Sequence, residues 1–213
     1  MRFFTGLDLG QANDYSTLAV VERVEMKGEW DAVAFAWKKH AQLRLRYLER
    51  IPLGTPYPEV VARTARVTGS GEIAGDCQLL VDATGVGRPV VDLLRGARLQ
   101  CPLVPAIITG GTSESYAKGF RHVPKNNLIT GLQIALQRGD LQIAGGMAYG
   151  AALVAEMAEM RVRISGQGNE QFAAWREGTH DDLVFAVALA CWGARKAYPS
   201  DVAGGQQYWT PWL

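Results

Sequence analysis

Aspartate residues in this chain stand at the ends of apolar segments. Asp8 and Asp82 each end a short apolar run, and the pair Asp181-Asp182 opens a long one. A carboxylate in an apolar segment is costly to bury unless it is paired or binds a cation. Carboxylates brought together also repel one another, and a divalent cation removes that repulsion. The fold must therefore bring two strand ends and one helix start to a common point, and the pattern indicates a metal-dependent site.

The chain's composition is that of one globular domain. Its 213 residues are 48% hydrophobic and 20% charged, which suffices for one sizeable core, and no linker or repeat divides them. We predict a domain at residues 1–198 and a tail at residues 199–213. The tail ends in an aromatic run that we expect to cover the domain; docking on a partner is the alternative.

Nothing in the sequence predicts a membrane partner or an export signal. No apolar stretch reaches the roughly 18 to 20 residues that a membrane span needs. The first residues lead directly into a predicted strand and lack the features of a signal peptide. The three cysteines are widely spaced and indicate neither a disulfide framework nor a zinc site. We therefore expect a cytoplasmic protein.

The apolar pattern predicts an α/β fold. Segments 3–9, 17–25 and 31–38 read as an antiparallel meander, with Gly28 at the second turn. The strand–helix–strand order that follows predicts a parallel part. Its elements are strands 78–81 and 103–108 and a helix from Pro89 to about Arg95; further helices are expected at 59–67, 124–138, 148–160 and 182–196, a hairpin at 161–164 and 171–175, and either a strand or a short helix at 45–53. The prediction is a mixed sheet with helices on both faces.

The aspartates suit an all-oxygen site for Mg²⁺ or Mn²⁺. Two such ions about 3.5–4 Å apart can activate a water and stabilise the leaving oxygen of a phosphodiester. We interpret Asp8 as the bridge between the ions, Asp82 as a second ligand, and Asp181 or Asp182 as the third. Each residue alone has a structural explanation, because an Asp before a helix is a common N-cap and an Asp after a strand often serves a turn. Their combination favours the metal site.

Other polar residues are candidates for accessory roles. We interpret Asp14 mainly as a turn residue, with a peripheral role near the metals as the alternative. His180 either positions a water or a phosphate or simply lies in a loop, and Glu156 and Glu159 are expected on a solvated helix face. Two basic clusters are either solvated faces or phosphate contacts. They comprise Lys38, Lys39, Arg44, Arg46 and Arg50 in one segment, and Lys118, Arg121, His122 and Lys125 in the other.

Three motifs together resemble the nuclease domain of the large subunit of tailed-bacteriophage terminases, an RNase H/RuvC-like domain. They are Gly6-Leu-Asp-Leu-Gly-x3-Asp14, Leu80-Val-Asp-Ala-Thr-Gly-Val-Gly87 and the stretch from His180 to Ala190, His-Asp-Asp-Leu-Val-Phe-Ala-Val-Ala-Leu-Ala. The segment Val123-Pro-Lys-Asn-Asn-Leu-Ile also fits, so the resemblance runs from residue 3 to residue 196.

The resemblance implies both a fold and a function. The fold would be an RNase H-like mixed sheet flanked by helices, with an added β-hairpin. The function would be a metal-dependent endonuclease that cuts concatemeric double-stranded viral DNA during packaging, with two Mg²⁺ or Mn²⁺ ions. Its metal ligands map onto Asp8, Asp82 and the Asp181-Asp182 pair, with Asp182 slightly preferred. Independently of the resemblance, the basic residues Lys118, Arg121 and Lys125 are expected to contact DNA, with a solvated face as the alternative.

One departure from the family concerns the packaging motor. Large terminases carry an ATPase ahead of the nuclease, whereas this chain has no Gly-x4-Gly-Lys-Ser/Thr phosphate loop. The chain is therefore interpreted either as an excised nuclease domain or as a free-standing relative. Its expected partners in a terminase are the packaging ATPase domain, the small terminase subunit and the portal.

Two other functions fit part of the pattern. An actin- or hexokinase-like ATP-binding phosphotransferase also combines an Asp-x-Gly turn with a later Asp-Ala-Thr-Gly-like turn. That fold normally needs two such subdomains, and it gives no reason for His-Asp-Asp before an apolar helix. A non-catalytic DNA-binding scaffold with the nuclease fold is the other alternative. Nucleotide binding would distinguish the first, and metal-dependent nicking the second.

Overall fold

A computed structural model of the chain describes residues 1–10, 14–85, 87–164, 170–174 and 181–197. Fifteen elements follow one another along it. They are β1 (Phe3–Asp8), β2 (Ser16–Asp31), β3 (Ala36–Ile51), α1 (Tyr57–Thr68), β4 (Cys77–Asp82), α2 (Gly87–Gly96), β5 (Leu103–Thr109), β6 (Ser115–Ala117), β7 (Phe120–Pro124), α3 (Lys125–Gln137), β8 (Leu141–Ile143), α4 (Gly150–Glu159), β9 (Met160–Ile164), β10 (Glu170–Ala174) and α5 (Asp182–Lys196).

Eight of the strands form one mixed sheet in the order β6-β7-β5-β4-β1-β2-β3-β8. β1, β2 and β3 pair antiparallel as a meander, while β1, β4, β5 and β7 run parallel to one another. β1 lies in the interior of the sheet, between β2 and β4. The predicted α/β fold, with a meander followed by parallel strands, is confirmed.

Two apolar cores lie on opposite faces of this sheet. Alternate residues of β4 show the division, because Leu80 packs in the core around α3, α4 and α5, whereas Leu79 packs in the core around α1 and α2. This alternation follows from the period of two residues in a strand. α5 is buried on all sides, as its almost wholly apolar sequence predicts. Every residue of this helix from Asp182 to Ala194 is buried.

The central strand and the central helix approach each other unusually closely. A Cβ added at Gly6 of β1 would lie 2.0 Å from the carbonyl oxygen of Ala186 in α5. Because no side chain fits in that space, glycine allows the backbones of β1 and α5 to make contact. The contact places the end of β1 next to the start of α5, where the predicted metal ligands lie.

The β2–β3 hairpin is longer than the sequence pattern predicts. Each strand has 16 residues, and the segment around residues 45–53 belongs to β3 as far as Ile51. The turn lies at residues 32–35 and not at Gly28, which falls within a register shift between Lys27 and Trp30. The Asp31 carboxylate fixes this turn by accepting the backbone N–H of Val33 at 3.0 Å and of Ala34 at 3.1 Å.

A second, smaller sheet is formed by β9 and β10, which pair antiparallel close to the predicted bounds. The turn between them, the loop before α5 and the tail at residues 199–213 lie outside the described residues, so the division at residue 198 stays a prediction. Within the described part of the chain, no helix combines the length and the apolar character needed to cross a membrane.

Candidate metal centre

Three elements of the fold bring the predicted aspartates to one edge of the sheet. Asp8 and Asp82 end neighbouring parallel strands, since Leu7 of β1 is in register with Val81 of β4. The start of α5 joins them through a hydrogen bond of 2.9 Å, which the Thr17 hydroxyl donates to Asp182 Oδ2. Thr17 is itself the partner of Asp8 in the β1–β2 ladder. The ends of β1 and β4 and the start of α5 therefore lie near one another.

The carboxylates at this edge are close enough to perturb one another. Burial raises the pKa of Asp8 well above its usual range, and repulsion from Asp82, Asp182, Asp181 and Asp14 raises it further. Asp14, interpreted from the sequence mainly as a turn residue, is thus electrostatically coupled to the site. No three acidic, His or Cys side chains among the described residues are gathered closely enough to form a ready-made metal-binding group.

Asp82 is oriented by the turn that follows its strand. Its Oδ1 accepts the backbone N–H of Thr84 at 2.8 Å and also the Thr84 hydroxyl. That hydroxyl in turn accepts the backbone N–H of Ile108, at 2.8 Å, at the end of the neighbouring strand β5. Burial raises the pKa of Asp82, while the Thr84 hydrogen bonds and Lys125 oppose the shift. The Asp-Ala-Thr turn thus ties the carboxylate to two strands.

The two aspartates of the adjacent pair have different surroundings. The Asp182 side chain is 7% exposed, and its Oδ2 accepts a hydrogen bond from Arg50 Nε at 2.8 Å in addition to the Thr17 hydroxyl. The Asp181 side chain is 34% exposed, and Lys125 Nζ lies 3.8 Å from its Oδ2. Burial raises the pKa of Asp181, and Lys125 opposes that shift. Asp182 is therefore anchored in the protein, whereas Asp181 faces the edge of the site.

The N-terminus of α5 is capped from another helix. The Asp181 side chain makes no capping hydrogen bond. Glu156 of α4 does so instead, because its Oε2 accepts the backbone N–H groups of Leu183 at 3.1 Å and Val184 at 3.3 Å. A carboxylate is favoured at this end of a helix by the partial positive charge of the free N–H groups. Asp181 is thus left without the capping role that its sequence position indicates.

Arg50 and Glu156 contact the site in a way that the sequence does not predict. The sequence predicts a solvated Glu156; its side chain is in fact 10% exposed and forms an ion pair with Arg50. Burial and the neighbouring Asp182 raise the pKa of Glu156 to about 7, although Arg50 opposes the shift. Arg50 also lies over the Tyr15 ring, 4.7 Å from its centroid. The sequence offers no signal for the contacts of Arg50 with Glu156 and Asp182, because they join residues more than 100 positions apart.

The predicted basic residues are not all at the acidic edge. Lys125 directly follows β7, which runs parallel to β5, so it lies at the same edge as Asp8 and Asp82. Lys118 precedes β7 and lies in the turn at the opposite end of that short strand. Arg121 lies between them and stacks on Tyr116, 4.9 Å from the ring centroid. His180 lies outside the described residues.

Comparisons with known proteins place the fold. No protein-family model matches the sequence, and no curated protein sequence matches it. Solved structures of viral terminases, however, are similar to the chain in three dimensions. The large terminase nuclease of thermophilic phage G20c with bound magnesium is 21% identical, with a TM-score of 0.58, over 90% of this chain and 80% of that one.

Two further terminase structures show the same similarity. The human cytomegalovirus terminase nuclease domain, soaked with Mn, is 12% identical with a TM-score of 0.54, over 90% of this chain and 83% of that one. The large terminase of bacteriophage HK97 is 15% identical with a TM-score of 0.52, but the chain covers only 39% of its length. The chain therefore has the RNase H-like fold of terminase nuclease domains.

Proposed function

We propose that this chain is a divalent-metal-dependent endonuclease that hydrolyses phosphodiester bonds of double-stranded DNA during viral genome packaging. The observation that carries the proposal is the meeting of Asp8, Asp82 and the Asp181-Asp182 pair at one edge of an RNase H-like sheet. Terminase nuclease structures with this fold include one with bound magnesium and one soaked with Mn. Their identity to this chain is low, so the activity rests on the chain's own residues.

The chemistry of the site fits a divalent cation. Burial raises the pKa of Asp8 and repulsion from neighbouring carboxylates raises it further, while the nearby cation Lys125 opposes the pKa shifts of Asp82 and Asp181. Oxygen donors of this kind are those that Mg²⁺ and Mn²⁺ prefer. We propose Asp8, Asp82 and Asp181 as the residues that hold two ions. Bound ions would activate a water and stabilise the leaving oxygen of the phosphodiester.

The contacts of Asp181 and Asp182 favour Asp181 as the metal ligand. The sequence slightly favours Asp182, but the Oδ2 of that residue accepts hydrogen bonds from Thr17 and Arg50. A cation at that oxygen would have to displace these contacts or share the oxygen with Arg50. Asp181 has a side chain that is 34% exposed, and the flexible Lys125 side chain lies 3.8 Å from its Oδ2. We therefore propose Asp181 as the principal ligand and Asp182 as its buried support.

The basic side chains provide the proposed contacts to DNA. Lys125 lies at the acidic edge, where it can contact a phosphate next to the bond that is cut. Arg121 lies further back along β7, and Lys118 lies at the far end of that strand, where each would contact the backbone away from the cut. Contacts of this kind position DNA without reading its sequence. The packaging ATPase domain, the small terminase subunit and the portal remain proposed partners.

The proposal is tested by nicking of supercoiled plasmid. Purified protein should convert it to open-circular and linear forms with Mn²⁺ or Mg²⁺, and should be inactive in EDTA. Asp8→Ala should abolish cleavage while the protein stays folded by circular dichroism, because the change removes repulsion together with a ligand. Asp92→Ala is the matched control, since Asp92 is an exposed aspartate on α2 that pairs only with Arg95 among the contacts described. Full activity of Asp8→Ala would refute the site.

The same preparation distinguishes the alternative functions. A phosphotransferase related to actin or hexokinase would bind ATP tightly and would not cut DNA. A non-catalytic scaffold would bind DNA without any metal-dependent nicking. The proposed nuclease predicts cleavage with little sequence preference and no tight binding of ATP, which isothermal titration calorimetry measures directly.

A further inference from the structure

The contacts of Arg50 tie three elements of the fold together. Its Nε donates to Asp182 Oδ2 at 2.8 Å, and its Nη2 contacts Glu156 Oε1. Glu156 then accepts the N–H groups of Leu183 and Val184 through its other oxygen. One guanidinium from β3 and one carboxylate from α4 therefore hold the first turn of α5.

Arg50 and Glu156 have complementary roles at the start of α5. Arg50 is a single cation between two carboxylates, and the Arg50 side chain is only 16% exposed. Its removal would take away the cation that lies between Glu156 and Asp182. Glu156 in turn satisfies two backbone donors that have no partner within the helix. Arg50 and Glu156 therefore balance each other's charge. Together they hold the first turn of α5 and so restrain Asp181, the residue just before it.

Resting on the proposed function, we infer that Arg50 and Glu156 are a positioning pair that fixes the Asp181 carboxylate for metal binding. Neither side chain is a ligand in this proposal. Groups that orient a metal ligand through hydrogen bonds typically change metal affinity by about 10- to 100-fold when they are removed. The pair should therefore affect the affinity for the ion more than the rate once the ion is bound.

Metal binding without DNA tests this inference. Isothermal titration of the full chain with Mn²⁺ should give an affinity for Arg50→Gln that is weaker than wild type by about tenfold or more. Glu156→Gln keeps an oxygen acceptor for α5 and should be weakened less, and Arg50→Lys should recover part of the loss. Arg63→Gln is the control, because Arg63 of α1 is 38% exposed and pairs with Glu49, which neighbours Arg50 in β3 but faces the opposite side of the sheet.

Cleavage supplies the second measurement. For Arg50→Gln, the Mn²⁺ concentration giving half-maximal nicking should rise, while the rate at saturating Mn²⁺ should stay near the wild-type rate. Wild-type Mn²⁺ affinity in folded Arg50→Gln and Glu156→Gln would overturn the inference and leave the nuclease proposal standing. If wild type itself neither binds Mn²⁺ nor cuts DNA, both proposals fail. Should Arg50→Gln not fold, Glu156→Gln and Arg50→Lys decide the question.

A different observation concerns two thiols at the other end of β4. Cys77 begins β4, and Cys101 lies two residues before β5. The register pairs Leu79 with Leu103, so continuing it by two residues sets Cys77 opposite Cys101 on the same face. The two side chains belong to one small apolar cluster, in which the Cys77 thiol donates a hydrogen bond to the Thr68 carbonyl oxygen at 3.7 Å. Adjacent strands lie about 4.8 Å apart, which is within the Cα separation that a disulfide spans.

The two thiols differ in a way that suits a two-step oxidation. Interaction with the neighbouring Cys77 thiol lowers the pKa of Cys101, and Cys101 is partly exposed. Cys77 is buried, and the same pairing raises its pKa. Thiolates attack disulfides, so the exposed and more acidic thiol is the one that an external disulfide reaches. The buried thiol is then placed to attack the mixed disulfide that results.

We propose that Cys77 and Cys101 form an oxidisable pair that closes to a disulfide with a small-molecule disulfide as oxidant. The Cys101 thiolate attacks glutathione disulfide and releases one glutathione as thiolate. Cys77 then loses its proton and attacks Cys101 Sγ, which releases the second glutathione. Two protein thiols are oxidised and one glutathione disulfide is reduced to two thiols, so atoms and electrons balance. The pair lies at the end of β4 opposite Asp82 and does not depend on the nuclease proposal.

Intact-mass spectrometry after incubation with glutathione disulfide tests this pair. Wild type should lose the mass of two hydrogen atoms, and alkylation after unfolding should label only Cys191. Cys77→Ser should instead stop at a glutathione adduct on Cys101, because the second thiol is missing. Cys101→Ser should remain unmodified, because Cys77 is buried. A wild-type protein that keeps three free thiols, or that accumulates the glutathione adduct without closing, would overturn the proposal.

Discussion

The packing of β1 against α5 can be tested at Gly6. An alanine Cβ there would lie 2.0 Å from the Ala186 carbonyl oxygen, and 3.0 Å from both the carbonyl carbon of that residue and the Ala190 nitrogen. Non-bonded atoms prefer about 3.5–4.0 Å, so the strand and the helix would have to separate by more than an ångström. Both partners are backbone atoms of buried elements, and no side chain can rotate away to make room.

The magnitude follows from this geometry. Overpacking a core typically costs about 1–3 kcal/mol, and the absence of a flexible neighbour puts Gly6→Ala at the upper end or above it. We therefore expect the free energy of unfolding to fall by about 3 kcal/mol or more. For a chain of this length, about 1 kcal/mol shifts Tm by roughly 2–4 °C, so Tm should fall by about 6–12 °C.

Urea unfolding followed by circular dichroism, together with thermal scans, measures this loss. Both should be run in EDTA, because Gly6 is two residues from Asp8 and a bound cation would add its own stabilisation. Gly110→Ala is the matched control, since no atom lies within 4 Å of the position that its Cβ would take, and its stability should stay near wild type. A Gly6→Ala protein with wild-type midpoints would show that β1 and α5 are not in the contact described.

Three further predictions concern charged groups. Asp8→Asn should raise Tm in EDTA at neutral pH, because the raised pKa of Asp8 means that its stability contribution is present at low pH and lost as pH rises through that pKa; Mn²⁺ should raise Tm of wild type but not of the variant. Lys125→Gln should weaken DNA binding and lower the number of counterions released on binding by about one, a larger effect than that of Lys118→Gln. The slope of log K against log salt concentration, from filter binding, measures this number. Glu22→Ala should lower the free energy of unfolding in urea by about 1–3 kcal/mol, because the 4% exposed carboxylate of Glu22 pairs with Arg2 and Arg46. The loss is limited because both arginines are half-exposed and can rehydrate.

The central strands of the sheet can be predicted because they are short, apolar and set by local pattern. β1 and β4 are buried on both faces, so they read as continuous apolar runs whose ends are easy to place. The β2–β3 hairpin cannot be bounded in this way. Its outer part exposes Trp30 at 48% and Phe35 at 81%, so apolar residues there do not mark a buried face. The turn predicted at Gly28 rests on a glycine that in the structure lies at a strand irregularity.

The distant contacts of the site are beyond any local pattern. The sequence groups Arg50 with Lys38 and Lys39 because the three are near one another along the chain, but in a hairpin strand such residues are spread over many ångströms. Only Arg50 lies at the end of β3 that reaches the acidic edge. Lys118 and Lys125 likewise form one group in the sequence, and β7 separates them. A cluster of basic residues along the sequence thus predicts that the surface carries positive charge, but it does not predict which charged side chains lie close together.

The Asp181-Asp182 pair shows why the choice between two neighbouring ligands needs a structure. The sequence favours Asp182 only slightly, because the helix start favours a carboxylate at either position. Their difference arises from what the fold brings to each: Thr17 and Arg50 to Asp182, and Lys125 to Asp181. A carboxylate oxygen that already accepts a hydrogen bond from a largely buried arginine must break or share that bond before it can bind a cation. Asp182 is therefore less suited to be the ligand and better suited to hold the start of α5 in place. The proposed assignment of Asp181 as the ligand rests on the contacts of Arg50 with Asp182. If it holds, Asp182→Asn should lose stability as well as metal affinity, whereas Asp181→Asn should lose metal affinity alone.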